Sequence, residues 1–143
     1  LAVLLFIVLG GRYCGLGTNI INNCFNDGNV YSYDFILKIA FTVITLSIGF
    51  QGGEVTPLFA IGASLGYVLG GAMGLNPVVT ASLGYAAVFG SATNTLIAPM
   101  LIGLEVFGSQ NMTMFGVVCI KACVLNGNKS IYSAQEILKG KLV

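Results

Sequence analysis

"GFQGGEVTPLFAIGASLG", residues 49–66, interrupts a long apolar run with glycines, an acid, a threonine and a proline. From Ile39 to Leu104, Glu54 is the only Asp, Glu, Lys or Arg. The residue order predicts a helix start, with Thr56 as N-cap and Pro57 at the first helical position, where a missing N–H costs nothing. A helix N-terminus carries orphan N–H groups and a partial positive charge. Aimed into a membrane cavity, it attracts an anion without placing a full cation in lipid. Gly52 and Gly53 let the backbone come close to a ligand. The stretch therefore reads as an anion-binding turn inside a membrane segment, with a carboxylate placed beside it.

The composition around that turn agrees. Of 143 residues, 56% are hydrophobic and 8% charged, against about a quarter charged in a soluble domain. Too few polar side chains exist to cover a soluble core of this size. Twenty glycines suit membrane helices, whose backbones approach closely. An all-α integral membrane protein is expected, seated in a lipid bilayer. The formal net charge of +1 offers no basic surface for nucleic acid. The absence of histidine removes the commonest metal ligand and the commonest general base, and neither metal nor cofactor is expected. Cys14, Cys24, Cys119 and Cys123 form no C-x-x-C pair and lie in or beside apolar runs, as small buried hydrophobes do.

The predicted helices are uneven. Leu1–Leu9 reads as the end of one, so residues 1–143 are expected to be a single membrane domain cut from a longer chain. Ile20–Phe25 reads as a short helical piece and residues 26–34 as a polar turn. Phe35–Gly49 follows, with Asp34 or Ser32 placed to cap it. Pro57–Leu75 carries Gly62, Gly66 and Gly70, a seam of small residues for packing against another membrane helix. Asn76-Pro77 is a break, and Val78–Ser91, Leu96–Phe107, Met112–Leu125 and Ser130–Lys139 complete the set. A spanning helix needs about 20 apolar residues, and several of these are shorter. Partial-span helices survive in a membrane only where protein or a water-filled cavity surrounds their ends, the usual construction of a transport site. Lys129, Lys139 and Lys141 around the last helix place the C-terminus in the cytoplasm by the positive-inside rule.

"GGEVTPLFAIGASLG" resembles the second-half signature of the CLC family of chloride channels and halide/proton antiporters, roughly G-x-F-x-P followed by a helix with G-x-x-x-G. "FGSATNTLIAPMLIGLEVFG" is similar to the entry and first member of that family's two dimer-side helices, and "GNKSIYSAQEILKGK" to its final helix. The resemblance implies the C-terminal half of an inverted-repeat fold with tilted, partial-span helices, in a bacterial inner membrane. It implies a homodimer through 96–107 and 112–125, and an absent N-terminal half holding the gating glutamate. The backbone amides of Glu54 and Val55 would then face a central halide, and the Tyr132 hydroxyl would donate to it from the other side. Glu54 stands where the chloride pattern has an apolar residue, Val55 where it has phenylalanine and Leu96 where it often has proline. Glu-Val-Thr-Pro resembles instead the bacterial fluoride/proton antiporter branch, in which the acid and the threonine, here Glu54 and Thr56, lie on the ion path.

Desolvation and a neighbouring anion both disfavour a carboxylate's charged form. Glu54 is thus expected to take up a proton as a halide arrives and to release it as the halide leaves. Other readings of the same residues stay open. The helix dipole alone favours an acid at residue 54, Thr56 is a good cap without any ion, and a tyrosine at 132 suits a membrane interface. Glu105 lies on an apolar helix with no role assigned. A chloride channel or chloride/proton antiporter is the alternative within the family, and a non-transporting helical bundle the alternative outside it. No triad or metal constellation points to an enzyme.

Overall fold

This computed structural model describes residues 11–13, 15–49, 53–127 and 129–132, and every regular element among them is helical. Helix α1 (Thr18–Asn22) runs into a π-helical turn, Asn23–Asp27. Then come α2 (Asp34–Ser47), α3 (Val55–Ala72), α4 (Pro77–Thr93) and α5 (Ile97–Phe107). A 3-10 turn, Ser109–Asn111, leads into α6 (Met112–Asn126). Among the described helices, α3 is the one long and apolar enough to cross a membrane, with 18 residues, a mean hydropathy of 1.5 and half of its length buried.

The antiparallel pair α3 and α4 forms the centre. A Cβ added at Gly62 would fall 2.3 Å from the Gly84 carbonyl oxygen, and one at Gly66 2.2 Å from that of Thr80. At Gly70 the obstacle would be the Thr80 hydroxyl, at 1.8 Å. The small-residue seam expected on this helix therefore faces α4, backbone against backbone, as membrane helices pack when no side chain intervenes. Beside the seam, the Phe59 and Tyr85 rings stack with centroids 4.0 Å apart. Tyr85 meets Phe107 edge-on, and Phe107 reaches Phe115, which ties α5 and α6 to the pair.

Hydroxyls inside the helices are satisfied locally. Thr42, Thr45, Ser47, Ser64 and Thr93 each donate to the carbonyl four residues back, which lets a polar side chain sit in an apolar setting. α5 and α6 turn Ile97, Leu101, Val117, Ile120 and Leu125 outward, a surface suited to lipid or to another apolar face. Cys24 and Cys119 are buried, as small hydrophobes are.

The expected boundaries shift by a few residues. The π-helical turn extends the first helical piece to Asp27, into the expected polar turn. α2 stops at Ser47, and α4 runs from Pro77 to Thr93 because Asn76 caps it, its side-chain oxygen accepting from the Val78 amide at 3.0 Å. Residues 130–132 are not helical, and the rest of the expected Ser130–Lys139 helix lies outside the described residues, as does Leu1–Leu9.

Gly66→Ala would set a methyl against backbone that cannot step aside. It is expected to cost about 2–3 kcal/mol, seen as a lowered melting temperature in detergent. Gly71→Ala, whose Cβ meets nothing within 4 Å, should be neutral or gain up to about 1 kcal/mol in the same measurement.

Candidate functional site

The N-terminus of α3 opens on a groove. Glu54 holds the N-cap position, and its side chain makes no capping hydrogen bond to the first-turn amides. Thr56 and Pro57 occupy the second and third helical positions, so Thr56 is not the cap and the helix starts two residues before the expected proline. The reason is that the first four N–H groups of a helix have no partner within it. Proline is therefore tolerated in any of the first places, not the first alone. α5 repeats the arrangement, with Leu96 at the uncapped N-cap position and Pro99 third.

The groove holds about 260 Å³ and has three walls. Gly53, Glu54 and Pro57 come from the start of α3; Lys38, Phe41, Thr42, Thr45 and Leu46 from α2; Tyr13, Gly15 and Leu16 from the preceding loop. The α2 wall is a helical stripe. Asp34, Lys38, Thr42 and Thr45 recur at three- and four-residue steps, so they share one face.

Behind the groove lies a buried polar cluster. Asp34 is fully buried, at the first position of α2, and it is not the expected cap for that helix. Its carboxylate instead reaches back, accepting from Arg12 at 2.9 Å, from the Tyr13 hydroxyl, and from the Tyr31 amide at 2.9 Å. Burial, and then the bond to Asp34, raise the Tyr13 phenol above its ordinary range, so it remains a donor. Arg12 also donates to the Asn29 carbonyl and lies 4.9 Å from the Tyr31 ring centroid.

Lys38, one turn after Asp34, is 2% exposed. Its ammonium donates to the Tyr13 carbonyl at 3.0 Å and to the Gly15 carbonyl at 2.7 Å. Gly17 makes room for it. Its φ of +87° is a left-handed value, and a Cβ there would fall 2.8 Å from Lys38 Cε and from Ala60 Cβ.

Of the expected site residues, Gly53, Glu54 and Pro57 meet in the groove, while half-buried Val55 and Thr56 complete the turn behind it. Gly52 lies outside the described residues. Tyr132 is 46% exposed and does not line the groove. Its segment is tied to the end of α4, where the Ile131 amide donates to the Ala92 carbonyl at 2.9 Å and the Ser130 hydroxyl to the Thr93 carbonyl at 3.4 Å. Asn94, buried and left-handed at φ +51°, ends α4 there and leaves those carbonyls free to accept. Glu105 is exposed on α5. Sequence reasoning missed Arg12, Asp34 and Lys38 as a group. The available signal was the pair of charges four residues apart on a helix that is otherwise apolar but for hydroxyls in step with them.

Asp34→Ala would leave Arg12 partly buried without its carboxylate. It is expected to cost on the order of 3–5 kcal/mol, measured as a fall in denaturation temperature. Asp34→Asn should cost less, because it keeps one acceptor.

Comparison with known proteins agrees with this architecture. Residues 1–127 match the model of the family described as voltage gated chloride channel. A chloride/fluoride channel protein of Pseudomonas syringae pv. tomato is 38% identical over 126 residues, covering 88% of this chain and 28% of that protein. The crystal structure of a CLC-type fluoride/proton antiporter is similar with a TM-score of 0.88 and 57% identity, over 92% of this chain and 33% of that one. The chain therefore spans about a third or less of the length of the proteins it resembles.

Proposed function

This chain belongs to the voltage-gated chloride channel family, and from that premise we propose that it is the C-terminal half of an integral membrane transporter that exchanges fluoride for protons. The observation that carries the reading is the uncapped start of α3, where Glu54 stands over a groove walled by a second helix and a loop. Uncapped amides hold an anion by their dipoles and release it again, which a transport site requires. The likeness to the fluoride/proton antiporter, at 57% identity, covers 92% of this chain.

In this mechanism the amides of Glu54 and Val55 receive the halide as it sheds water. The Thr56 hydroxyl and the protonated Glu54 carboxyl add donors, and Tyr132 supplies another once the whole chain is assembled. Fluoride, small and strongly hydrated, needs that many donors to leave its water. Arrival of the anion favours the protonated carboxyl, and its departure favours release, so halide and proton movements are linked. The N-terminal half closes the pathway and carries the gating acid. The outward faces of α5 and α6 bring two subunits together. The bacterial inner membrane is the site of action, with the C-terminus in the cytoplasm.

A chloride channel is the second reading, suggested by the Pseudomonas relative, a chloride/fluoride channel protein. The complete protein in lipid vesicles separates the two. Fluoride-driven proton uptake in preference to chloride flux is expected, and chloride flux without proton movement would establish the channel. Glu54→Gln is expected to abolish fluoride-driven proton uptake or flatten its pH dependence. Unchanged uptake at every pH would remove Glu54 from the mechanism.

A further inference from the structure

The tyrosine that the transport reading assigns to the halide sits in a stretch, residues 129–132, with no regular structure. Its place must come from what that stretch is tied to. Resting on the transport reading, we infer that Ser130 is a positioning residue for Tyr132, the link that holds the tyrosine's backbone to the end of α4 and, through α4, at a set place relative to the amides of α3. One hydroxyl makes both connections. It donates to the Thr93 carbonyl at 3.4 Å and accepts from the Tyr132 amide at 3.2 Å. The residue between them adds a third tie, the Ile131 amide donating to the Ala92 carbonyl at 2.9 Å. Just ahead, the Asn126 side chain at the end of α6 donates to the Lys129 carbonyl.

The acceptors on α4 are available for a local reason. The last four carbonyls of a helix have no partner within it. Asn94, left-handed at φ +51°, closes α4: its own amide donates to the Gly90 and Ser91 carbonyls, and the turn it makes returns the Thr95 amide to Gly90. The carbonyls of Ala92 and Thr93 come next, and these are the two that Ile131 and Ser130 take. The corner itself is firm. The Thr93 hydroxyl donates to the Phe89 carbonyl at 2.8 Å, and the Cys123 thiol donates to the Asn94 side-chain oxygen at 3.7 Å, which brings α6 to the same point.

This corner lies at the same end of the α3–α4 pair as the start of α3. The helices are antiparallel, and their register sets Gly62 against Gly84 and the Phe59 ring 4.8 Å from that of Phe89. One turn before Phe59 is Val55, the first residue of α3, and one turn after Phe89 is Thr93, the last of α4. The amides and the anchor of the tyrosine thus belong to one tightly packed pair. A donor placed beforehand gives its full gain to a bound anion, whereas one that must be ordered on binding loses part of it. A hydroxyl suits the link because it donates and accepts at once. Alanine does neither, and threonine keeps both.

The fluoride dependence of the complete transporter in lipid vesicles tests this. Tyr132→Phe removes the donor, while Ser130→Ala leaves the phenol and removes the link. Ser130→Ala is expected to raise the half-saturating fluoride concentration about fivefold, the worth of one neutral hydrogen bond, with the maximal rate within about twofold of the parent's. Ser130→Thr should restore the parent value. Because the effect runs through the tyrosine, Ser130→Ala added to Tyr132→Phe should raise the value no further than Tyr132→Phe does alone. An unmoved half-saturation in Ser130→Ala overturns the inference. A fall in maximal rate alone does the same, since it marks a serine that only packs. So does an additive loss in the double variant, which marks a serine acting without the tyrosine, or a defect in Ser130→Thr as large as that in Ser130→Ala. If Ser130→Ala does not assemble, the hydroxyl serves folding and the inference fails. An unmoved Tyr132→Phe would instead bring down the place of Tyr132 in the transport reading, and this inference with it. A defect in Tyr132→Phe beside a normal Ser130→Ala would defeat the inference alone.

Discussion

Two helix backbones lie against each other with nothing between them, and the place of the groove follows from that contact. Inside a bilayer the lipid tails are as apolar as the side chains, so helices gain little from burying hydrocarbon. What holds them is close packing, many weak contacts at the right distance. Gly62, Gly66 and Gly70 give α3 a flat side, and Gly84 and the carbonyl of Thr80 fit onto it. The Phe59–Tyr85 stack fixes the rotation of the pair. With α3 set in this way, its first turn is held at a defined point against α2, and the N-terminal amides have a fixed direction.

The second organising feature is charge in an apolar setting. Ionised groups away from water are costly unless their hydrogen-bonding capacity is met. Asp34 meets this condition with three donors from two separate loops, and Lys38 with two carbonyls from one of them. The cluster therefore does more than satisfy its own hydrogen bonds. It fixes the course of the loop through Tyr13 and Gly15, which has no regular structure of its own, and turns it into a wall. A groove between two helices becomes a concavity with a third side.

Much of this was open to sequence reasoning because the breaks are local chemistry. Asn76-Pro77 and the glycines around 53 interrupt the helices whatever surrounds them, and the seam on α3 follows from spacing alone. The start of α3 was misplaced because proline at 57 is compatible with any of the first helical positions, and the sequence contains nothing that chooses among them. The polar stripe on α2 was within reach. Asp34, Lys38, Thr42 and Thr45 keep helical spacing, but each reads singly as an end-of-helix charge or an ordinary hydroxyl. Other features depend on the tertiary fold. That Lys38 points at a loop 23 residues earlier, or that the segment bearing Tyr132 ends on the last carbonyls of α4, follows from no periodicity.

The closeness of α3 and α4 has a mechanical meaning. A screw motion of one residue, about 1.5 Å along the axis with about 100° of rotation, would bring a neighbouring non-glycine Cβ onto the carbonyl oxygens of Thr80 or Gly84. The glycine seam therefore locks the rotation of one helix against the other. A change in the shape of the groove that keeps this contact has to come from elements outside the pair or from side chains that swing across the opening. Motion at the site is then a matter of gates, not of rearranged helices.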